Sequence, residues 1–406
     1  MIKINSKKII TIICNILFFL YVLFTYMFVG QSGKTLYYEI PMFVFIGIEL
    51  VLMIKEKKIL IQKNIVVLYL FSAFLFVSNF WAIDKNASIT ISKTVLFLVT
   101  STMIMYNYFY KLDNGISILI KIIIWAGIVF SIYFFSYYGI INCINMIFSG
   151  MRVGDEIDNV NRIGLEVAVT YLLILFEGIN NKKKYLFLLP IPLIVALGTG
   201  SRKVFILLLL GTILLVLFNS ENNKLKAIAK KIMILIALVV IIKIAFNTFS
   251  DFSIIKRLNS FTNYYTGEGK VDHSTIERSL YIKYGLDEFN NHPILGIGAA
   301  NSSIITSKVS GMFTYLHNNY VELLATTGII GFALYYFNYY YLIKKAFNKK
   351  CYEVKEKNIK NFMIILLLLL LILDYGQVSY YSKSLYVYFL IPMIGIGDGK
   401  NVEKNR

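Results

Sequence analysis

The sequence predicts an all-α protein that crosses a membrane many times. Of its 406 residues, 57% are hydrophobic and only 16% are charged, whereas soluble domains carry about a quarter charged residues. Apolar runs of roughly 18 residues or more recur along the chain, and a helix of that length spans the hydrocarbon core of a bilayer. The aromatic content of 16% fits belts of Tyr and Trp at the membrane surfaces. We therefore expect one integral membrane domain over residues 1–406.

About twelve membrane-spanning helices are predicted from these apolar runs. The first follows Lys3, Lys7 and Lys8 in the manner of a signal peptide, but its length favours an uncleaved helix. The seventh and eleventh are short enough to be tilted or broken. The predicted spans are 9–29, 36–54, 64–81, 89–109, 115–136, 161–179, 185–199, 203–219, 231–250, 317–342, 361–374 and 384–397.

The net charge of +18 is explained by a membrane orientation and not by nucleic acid. Lys and Arg gather in short loops on one side of the predicted spans, as in residues 55–63 and 343–360, whereas the short loop 30–35 on the other side holds a single Lys. Because basic loops stay in the cytoplasm, both termini are predicted to be cytoplasmic.

Two outer segments are too long to be simple connections. They are residues 137–160 and residues 251–316, and the second separates the ninth and tenth predicted spans. Ser274 to Glu277 fits a capping box that opens a helix through Asn290. We therefore expect a partly helical extracytoplasmic loop over 251–316.

Four arginines on the outer side are candidates for binding an anion: Arg152, Arg162, Arg202 and Arg278. The guanidinium group is a planar, permanently charged fork that suits phosphate oxygens. Arg202 also follows a Gly-Thr-Gly-Ser turn, where the backbone can approach an anion and the next helix adds its dipole.

Each arginine also has a structural interpretation. Arg278 has Glu277 and Asp287 as candidate salt-bridge partners, and Arg162 has Glu166 one turn on. Lipid headgroups are the alternative partner of Arg202. We interpret Arg152, which precedes three acidic residues, as a solvated loop charge.

His317 opens the stretch 317–331, where a long polar segment runs into a new hydrophobic helix. Histidine has the side-chain pKa closest to neutral pH, so it suits proton transfer to or from a hydroxyl. The alternative is a histidine that caps the helix or meets lipid headgroups. His273 and His292 are weaker candidates, and no Cys, His or carboxylate cluster has the spacing of metal ligands.

Three stretches resemble the O-antigen ligase and O-antigen polymerase (Wzy-like) superfamily. His317-Asn318, nine further residues and then Gly328-Ile-Ile-Gly331 are similar to its His-Asn-x9-Gly-x-x-Gly signature. Residues 291–298 (Asn-His-Pro-Ile-Leu-Gly-Ile-Gly) and 200–202 (Gly-Ser-Arg) are similar to two further family stretches. Their order and the long outer loop match as well, so the resemblance covers residues 150–340.

The resemblance implies an inverting glycosyltransferase of GT-C-like architecture that needs no metal or other cofactor. By similarity, Arg202 and Arg278 would hold the diphosphate of an undecaprenyl-linked oligosaccharide, and His317 would activate the acceptor hydroxyl or position the donor. Asn318 and Arg162 would be further substrate-binding residues. The implied location is the bacterial inner membrane, with the active site on the outer face. The lipid bilayer, a flippase and a chain-length regulator are the candidate partners.

The motifs leave the exact activity open. A polymerase is favoured because the chain is rich in Ile, Lys and Asn, as in many low-GC bacteria that make capsule or exopolysaccharide, and no feature demands a lipid A acceptor. A ligase that transfers the finished glycan to lipid A core or another envelope acceptor is the first alternative. A lipid-linked glycan transporter is the second, although the sequence shows neither the internal repeat nor the charged path that it predicts.

Overall fold

The computed structural model describes residues 6–149, 151–180, 182–221, 253–267 and 269–396, together with 228–229, 231–234, 236–237 and 243. The regular structure of these residues is helical throughout. Most of the ninth predicted span, 231–250, lies outside the described residues.

The described α-helices are α1 (Ser6–Phe28), α2 (Thr35–Glu56), α3 (Lys63–Val77), α4 (Lys85–Lys111), α5 (Gly115–Tyr138), α6 (Ile140–Ser149), α7 (Val160–Asn180), α8 (Pro190–Gly198), α9 (Arg202–Phe218), α10 (Ser253–Thr266), α11 (His273–Asn291), α12 (Ser302–Ser310), α13 (Asn319–Asn348), α14 (Val354–Asp374) and α15 (Lys383–Gly395). Two short 3₁₀ helices, Ser78–Phe80 and Lys183–Leu188, follow α3 and precede α8.

The chain is an all-α polytopic membrane protein, as the sequence predicts. Seven of the described helices are long and apolar enough to cross a membrane: α1, α2, α3 with the 3₁₀ helix after it, α4, α5, α7 and α13. The predicted number is higher because other apolar segments form shorter helices, such as α9 with 17 residues and α15 with 13. The GT-C-like arrangement stays a prediction.

The seventh predicted span is wrong as a single continuous helix. Residues 185–199 fold as part of the 3₁₀ helix Lys183–Leu188 followed by the nine-residue α8. Pro190 is the first residue of α8. Proline suits this position because the N–H group that it lacks would have no partner in the first turn, whereas inside a helix the missing N–H breaks a hydrogen bond. The proline therefore starts a new helix.

The chain divides into two compact units, each assembled from three stretches. Unit 1 comprises Met1–Lys58, Tyr108–Asn259 and Lys350–Ile365, and unit 2 comprises Ile59–Asn107, Ser260–Lys349 and Leu366–Arg406. That residues 1–406 form one membrane domain stays a prediction.

Helices pack closely within unit 1 where small residues face their neighbours. A Cβ added at Gly127 of α5 would stand 1.9 Å from the Thr170 hydroxyl oxygen of α7, and one at Gly211 of α9 would stand 2.5 Å from Leu172. Small residues allow such close approach between membrane helices, where van der Waals packing drives association. Phe18 contacts both Phe45 and Phe109 at ring-centroid distances of 5.8 and 4.9 Å.

The predicted extracytoplasmic loop, 251–316, is partly helical, since α10, α11 and α12 lie in it. The predicted helix 274–290 is confirmed as α11, but the predicted N-cap is wrong. Asp272 caps α11, because its carboxylate accepts a hydrogen bond from the Thr275 N–H at 2.9 Å. The same carboxylate accepts a hydrogen bond from the Ser260 hydroxyl at 2.6 Å. This bond joins the middle of α10 to the start of α11.

Candidate functional site

His317 lies two residues before the start of α13 and is held in an unusual backbone conformation. Its φ is +57°, in the left-handed region that costs a non-glycine residue roughly 1 kcal/mol or more. The following residue, Asn318, is the N-cap of α13, and its side-chain oxygen accepts from the N–H groups of Tyr320 and Val321 at 3.0 and 3.1 Å. The Asn318 amide oxygen is thus used to cap the helix, and its role in substrate binding stays a prediction.

Two tyrosine rings flank the half-buried His317 imidazole. Tyr281 of α11 lies nearly parallel to it, with ring centroids 6.2 Å apart and planes 9° apart. Tyr315 lies closer, with centroids 4.3 Å apart and planes tilted by 51°. The Tyr281 hydroxyl is hydrogen-bonded to the Ser310 hydroxyl at 2.6 Å, so α11 and α12 together fix one side of the imidazole.

Arg278 lies in the same region of unit 2 as His317. It is half-buried on α11, three residues before Tyr281, and residues at this spacing share a helix face. Burial raises the pKa of the Tyr315 hydroxyl, and the Arg278 charge opposes that rise. Since Tyr315 also contacts His317, the structure brings together two of the predicted site residues.

Glu322, which the sequence did not single out, holds the segment before His317. It is buried at 1% exposure in the first turn of α13. Its carboxylate accepts hydrogen bonds from the Ser302 hydroxyl at 2.6 Å and from the Leu316 N–H at 2.9 Å. In the sequence, Glu322 could have been noticed only as an acidic residue in the first turn of a helix. Its two hydrogen-bond partners become apparent only in the folded structure.

The glycines of the resemblance meet at a break in α13. Gly328 has φ +62° and ψ −168°, which interrupts the helix, and Gly296 of the preceding loop has φ +65°. Three backbone hydrogen bonds of 2.9–3.0 Å join loop 293–298 to this break, from the N–H groups of Ile297, Gly298 and Ile329 to the carbonyls of Ala325, Thr326 and Pro293. These bonds satisfy groups that the broken helix would otherwise leave unpaired.

Arg202 belongs to unit 1, where it is the first residue of α9. One of its guanidinium nitrogens donates to the Arg257 carbonyl at 3.2 Å. The N-cap Ser201 donates from its hydroxyl to the side-chain oxygen of Asn161 at 2.9 Å. Gly200 before it has φ +57°, so the turn at the start of α9 has the compact backbone that the sequence predicts.

Arg152 supports this turn, and the interpretation of it as a solvated loop charge is wrong. The side chain is half-buried, and its Nε donates to the Thr199 carbonyl at 2.8 Å. A backbone bond from the Val153 N–H to the Gly198 carbonyl, 2.9 Å long, lies beside it. Residues 151–154 therefore line the turn that precedes Arg202.

Arg162 makes the ion pair that the sequence allowed as its structural interpretation. Its guanidinium pairs with Glu166 at 3.2 Å and with Asp158, and it donates to the Thr25 carbonyl at 2.8 Å. Glu166 is fully buried. The geometry gives Arg162 a structural role in unit 1, and substrate binding by it stays a prediction.

The two weaker histidines each face a carboxylate one turn away. His273 Nδ1 lies 3.3 Å from Glu277, and His292 Nε2 lies 3.4 Å from Glu288. Within the described part of the chain, no group of three or more His, Cys, Asp or Glu side chains is arranged to hold a metal ion.

Comparison with known proteins identifies one stretch of the chain. Residues 186–336 match the family model described as O-antigen ligase. The matched stretch contains Arg202, Arg278 and His317 and leaves Arg152 and Arg162 outside. A search of curated proteins gave no match.

Proposed function

We propose that this chain, whose residues 186–336 match the family model described as O-antigen ligase, is the polymerase of a lipid-linked surface glycan. It transfers the growing glycan from undecaprenyl diphosphate to a sugar hydroxyl of the next lipid-linked repeat unit. The observation that carries the proposal is the proximity of Arg278 and His317 to the same side chain, Tyr315. An anion-binding cation beside a proton acceptor is what glycosyl transfer from a diphosphate requires.

The proposed reaction is a single displacement at the anomeric carbon of the donor sugar. The acceptor oxygen attacks that carbon from the face opposite the diphosphate, and the bond between the carbon and the diphosphate oxygen breaks with inversion. The electron pair of that bond leaves with the diphosphate, and the proton of the acceptor hydroxyl passes to His317. Arg278 stabilises the charge that develops on the departing diphosphate.

Arg202 is proposed as a second diphosphate-binding residue. It stands at the N-terminus of α9, where the helix dipole and the backbone N–H groups favour an anion. The turn before it is fixed by Arg152 and by the bond between Ser201 and Asn161. A fixed turn keeps the first N–H groups of α9 oriented in the absence of substrate, which lowers the cost of binding.

A ligase is the second candidate function, because the matching family is described by that activity. The displacement is the same, and only the acceptor differs: lipid A core or another envelope component in place of a second lipid-linked unit. For either activity we propose the bacterial inner membrane, cytoplasmic termini and an outer active site, beside a flippase and a chain-length regulator.

Analysis of surface glycan from a deletion strain tests the proposal. The polymerase predicts that only single repeat units remain, on the carrier or at the cell surface. Long chains that accumulate on undecaprenyl diphosphate without reaching an acceptor would assign the ligase activity. Unchanged chain length and attachment would reject both activities and favour the transporter.

Complementation of the deletion strain tests the site. His317→Ala and Arg278→Ala are expected to insert into the membrane normally and to restore no glycan. His273→Ala is the matched control, because the His273 side chain is 84% exposed and belongs to the same α11 as Arg278. Full restoration by both site variants would contradict the assignment.

A further inference from the structure

Tyr315 interacts with both residues that the proposed reaction needs, yet neither the sequence motifs nor the family match assigns it a role. Its ring contacts the His317 imidazole, and its hydroxyl lies within the electrostatic reach of Arg278. It precedes α13 by four residues and therefore lies outside the membrane-spanning helix.

The hydroxyl of Tyr315 is available to a ligand. The residue is half-buried, and its oxygen is not one of the enclosed polar atoms. Among the described residues, we find no hydrogen-bond partner for it, whereas the neighbouring Tyr281 hydroxyl is bonded to Ser310 at 2.6 Å. A half-buried hydroxyl that has lost part of its water gains most from a bound partner.

The charge around the hydroxyl decides what kind of partner it suits. Burial raises the pKa of Tyr315, so the group remains a protonated donor at neutral pH. The Arg278 charge acts on this hydroxyl and attracts an anion. The Glu322 carboxylate also acts on it, but more weakly than Arg278, and Glu322 is bonded to Ser302 and Leu316. Phosphate oxygens accept hydrogen bonds but do not donate them at full ionisation. A diphosphate therefore satisfies both groups at once.

We propose that Tyr315 is a further substrate-binding residue, whose hydroxyl donates a hydrogen bond to the diphosphate that Arg278 binds. The inference rests on the proposed function, because that function supplies the diphosphate. Because the Tyr315 ring also packs on His317, the contact would hold the diphosphate in a fixed position relative to the base that faces the acceptor on the opposite side of the anomeric carbon.

A competing role for Tyr315 is mechanical, with the ring acting only as a support for His317. Tyr315→Phe and Tyr315→Ala separate the two roles, since Phe keeps the ring and loses only the hydroxyl. The control is Tyr284→Phe, which removes one hydroxyl from a 45% exposed tyrosine on α11. Transfer is measured by glycan polymerisation in the complemented deletion strain, and binding by titrating each purified protein with undecaprenyl diphosphate.

Loss of one hydrogen bond to a charged group predicts a roughly ten- to hundredfold fall in transfer for Tyr315→Phe. We expect a parallel fall in affinity for undecaprenyl diphosphate, an unchanged Tm and a wild-type Tyr284→Phe. Wild-type transfer and binding by Tyr315→Phe would overturn the proposal, whether or not Tyr315→Ala is impaired.

Including His317→Ala in the same assay separates this inference from the function on which it rests. If His317→Ala is inactive while Tyr315→Phe is normal, only the role of Tyr315 fails. If His317→Ala also transfers glycan normally, the proposed site fails and the role of Tyr315 fails with it.

Discussion

Gly328 lies directly against the backbone of Ile294: a Cβ built on Gly328 would stand 2.2 Å from the Ile294 carbonyl oxygen. Its φ of +62° lies in the region that favours glycine. Gly296 is equally confined, since a Cβ there would stand 2.4 Å from the Thr326 carbonyl carbon. The two glycines therefore let loop 293–298 cross α13 at its break.

Gly328→Ala is expected to destabilise unit 2 by more than the cost of placing alanine in a left-handed backbone conformation. The added methyl group meets backbone, which has no rotamer to yield, in addition to the roughly 1 kcal/mol cost of a left-handed alanine. Thermal unfolding of the purified protein in detergent measures the change.

Gly311→Ala is the control for that measurement. Gly311 has φ +75° but no heavy atom within 4 Å of an added Cβ, so it isolates the conformational cost. Equal Tm losses for the two variants would contradict the close approach at Gly328.

The sequence predicts the class of fold and part of the site, for identifiable reasons. Apolar length predicts spanning helices such as α5, because only a helix satisfies its backbone within a bilayer. It fails at residues 185–199, where prolines divide an apolar run. His317 and Arg278 can be selected from the sequence by their side-chain chemistry and their predicted position, whereas Glu322 and Tyr315 make contacts that only the folded chain creates.

The family signature also mixes two kinds of residue that the sequence cannot separate. His317 is proposed to act on the acceptor proton, while Gly328 shapes the backbone at the break in α13. Asp272 and Arg152 show the same limit. The sequence favours Ser274 as the cap of α11 and a solvated side chain for Arg152, whereas contacts with Ser260 and Thr199 in the folded chain hold Asp272 and Arg152 in place.

Glu322→Gln is expected to retain most activity, whereas Glu322→Leu is expected to lose it. The glutamine oxygen can accept from the Leu316 N–H and its amide can donate to the Ser302 hydroxyl, so both links survive. Leucine leaves two buried polar groups unpaired, at roughly 1–3 kcal/mol each. Glycan polymerisation and Tm are measured together.

Ser302→Ala supplies the graded comparison, since it removes one of the two bonds to Glu322. We expect its Tm to lie between those of wild type and Glu322→Leu. An inactive but stable Glu322→Gln would show instead that the carboxylate charge acts in the reaction.

Arg162→Met is expected to destabilise unit 1 strongly, because it strands the buried Glu166 carboxylate without its cation. Removing one partner of a buried ion pair costs about 3–5 kcal/mol. In Arg162→Met/Glu166→Gln the second change removes the stranded charge, so the double variant should be more stable than Arg162→Met alone. A double-mutant cycle on Tm measures the coupling, and additive losses would show that the ion pair contributes little.

Substitutions of Asn318 can show whether its side chain only caps α13 or also binds substrate. Its oxygen accepts from two N–H groups at the start of α13, and aspartate provides the same acceptor with a charge that suits the helix dipole. Asn318→Asp should therefore keep Tm and glycan polymerisation near wild type, while Asn318→Ala should cost about 1 kcal/mol of stability. If the amide of Asn318 instead binds the anionic donor, the aspartate will repel it, and Asn318→Asp will be inactive with an unchanged Tm.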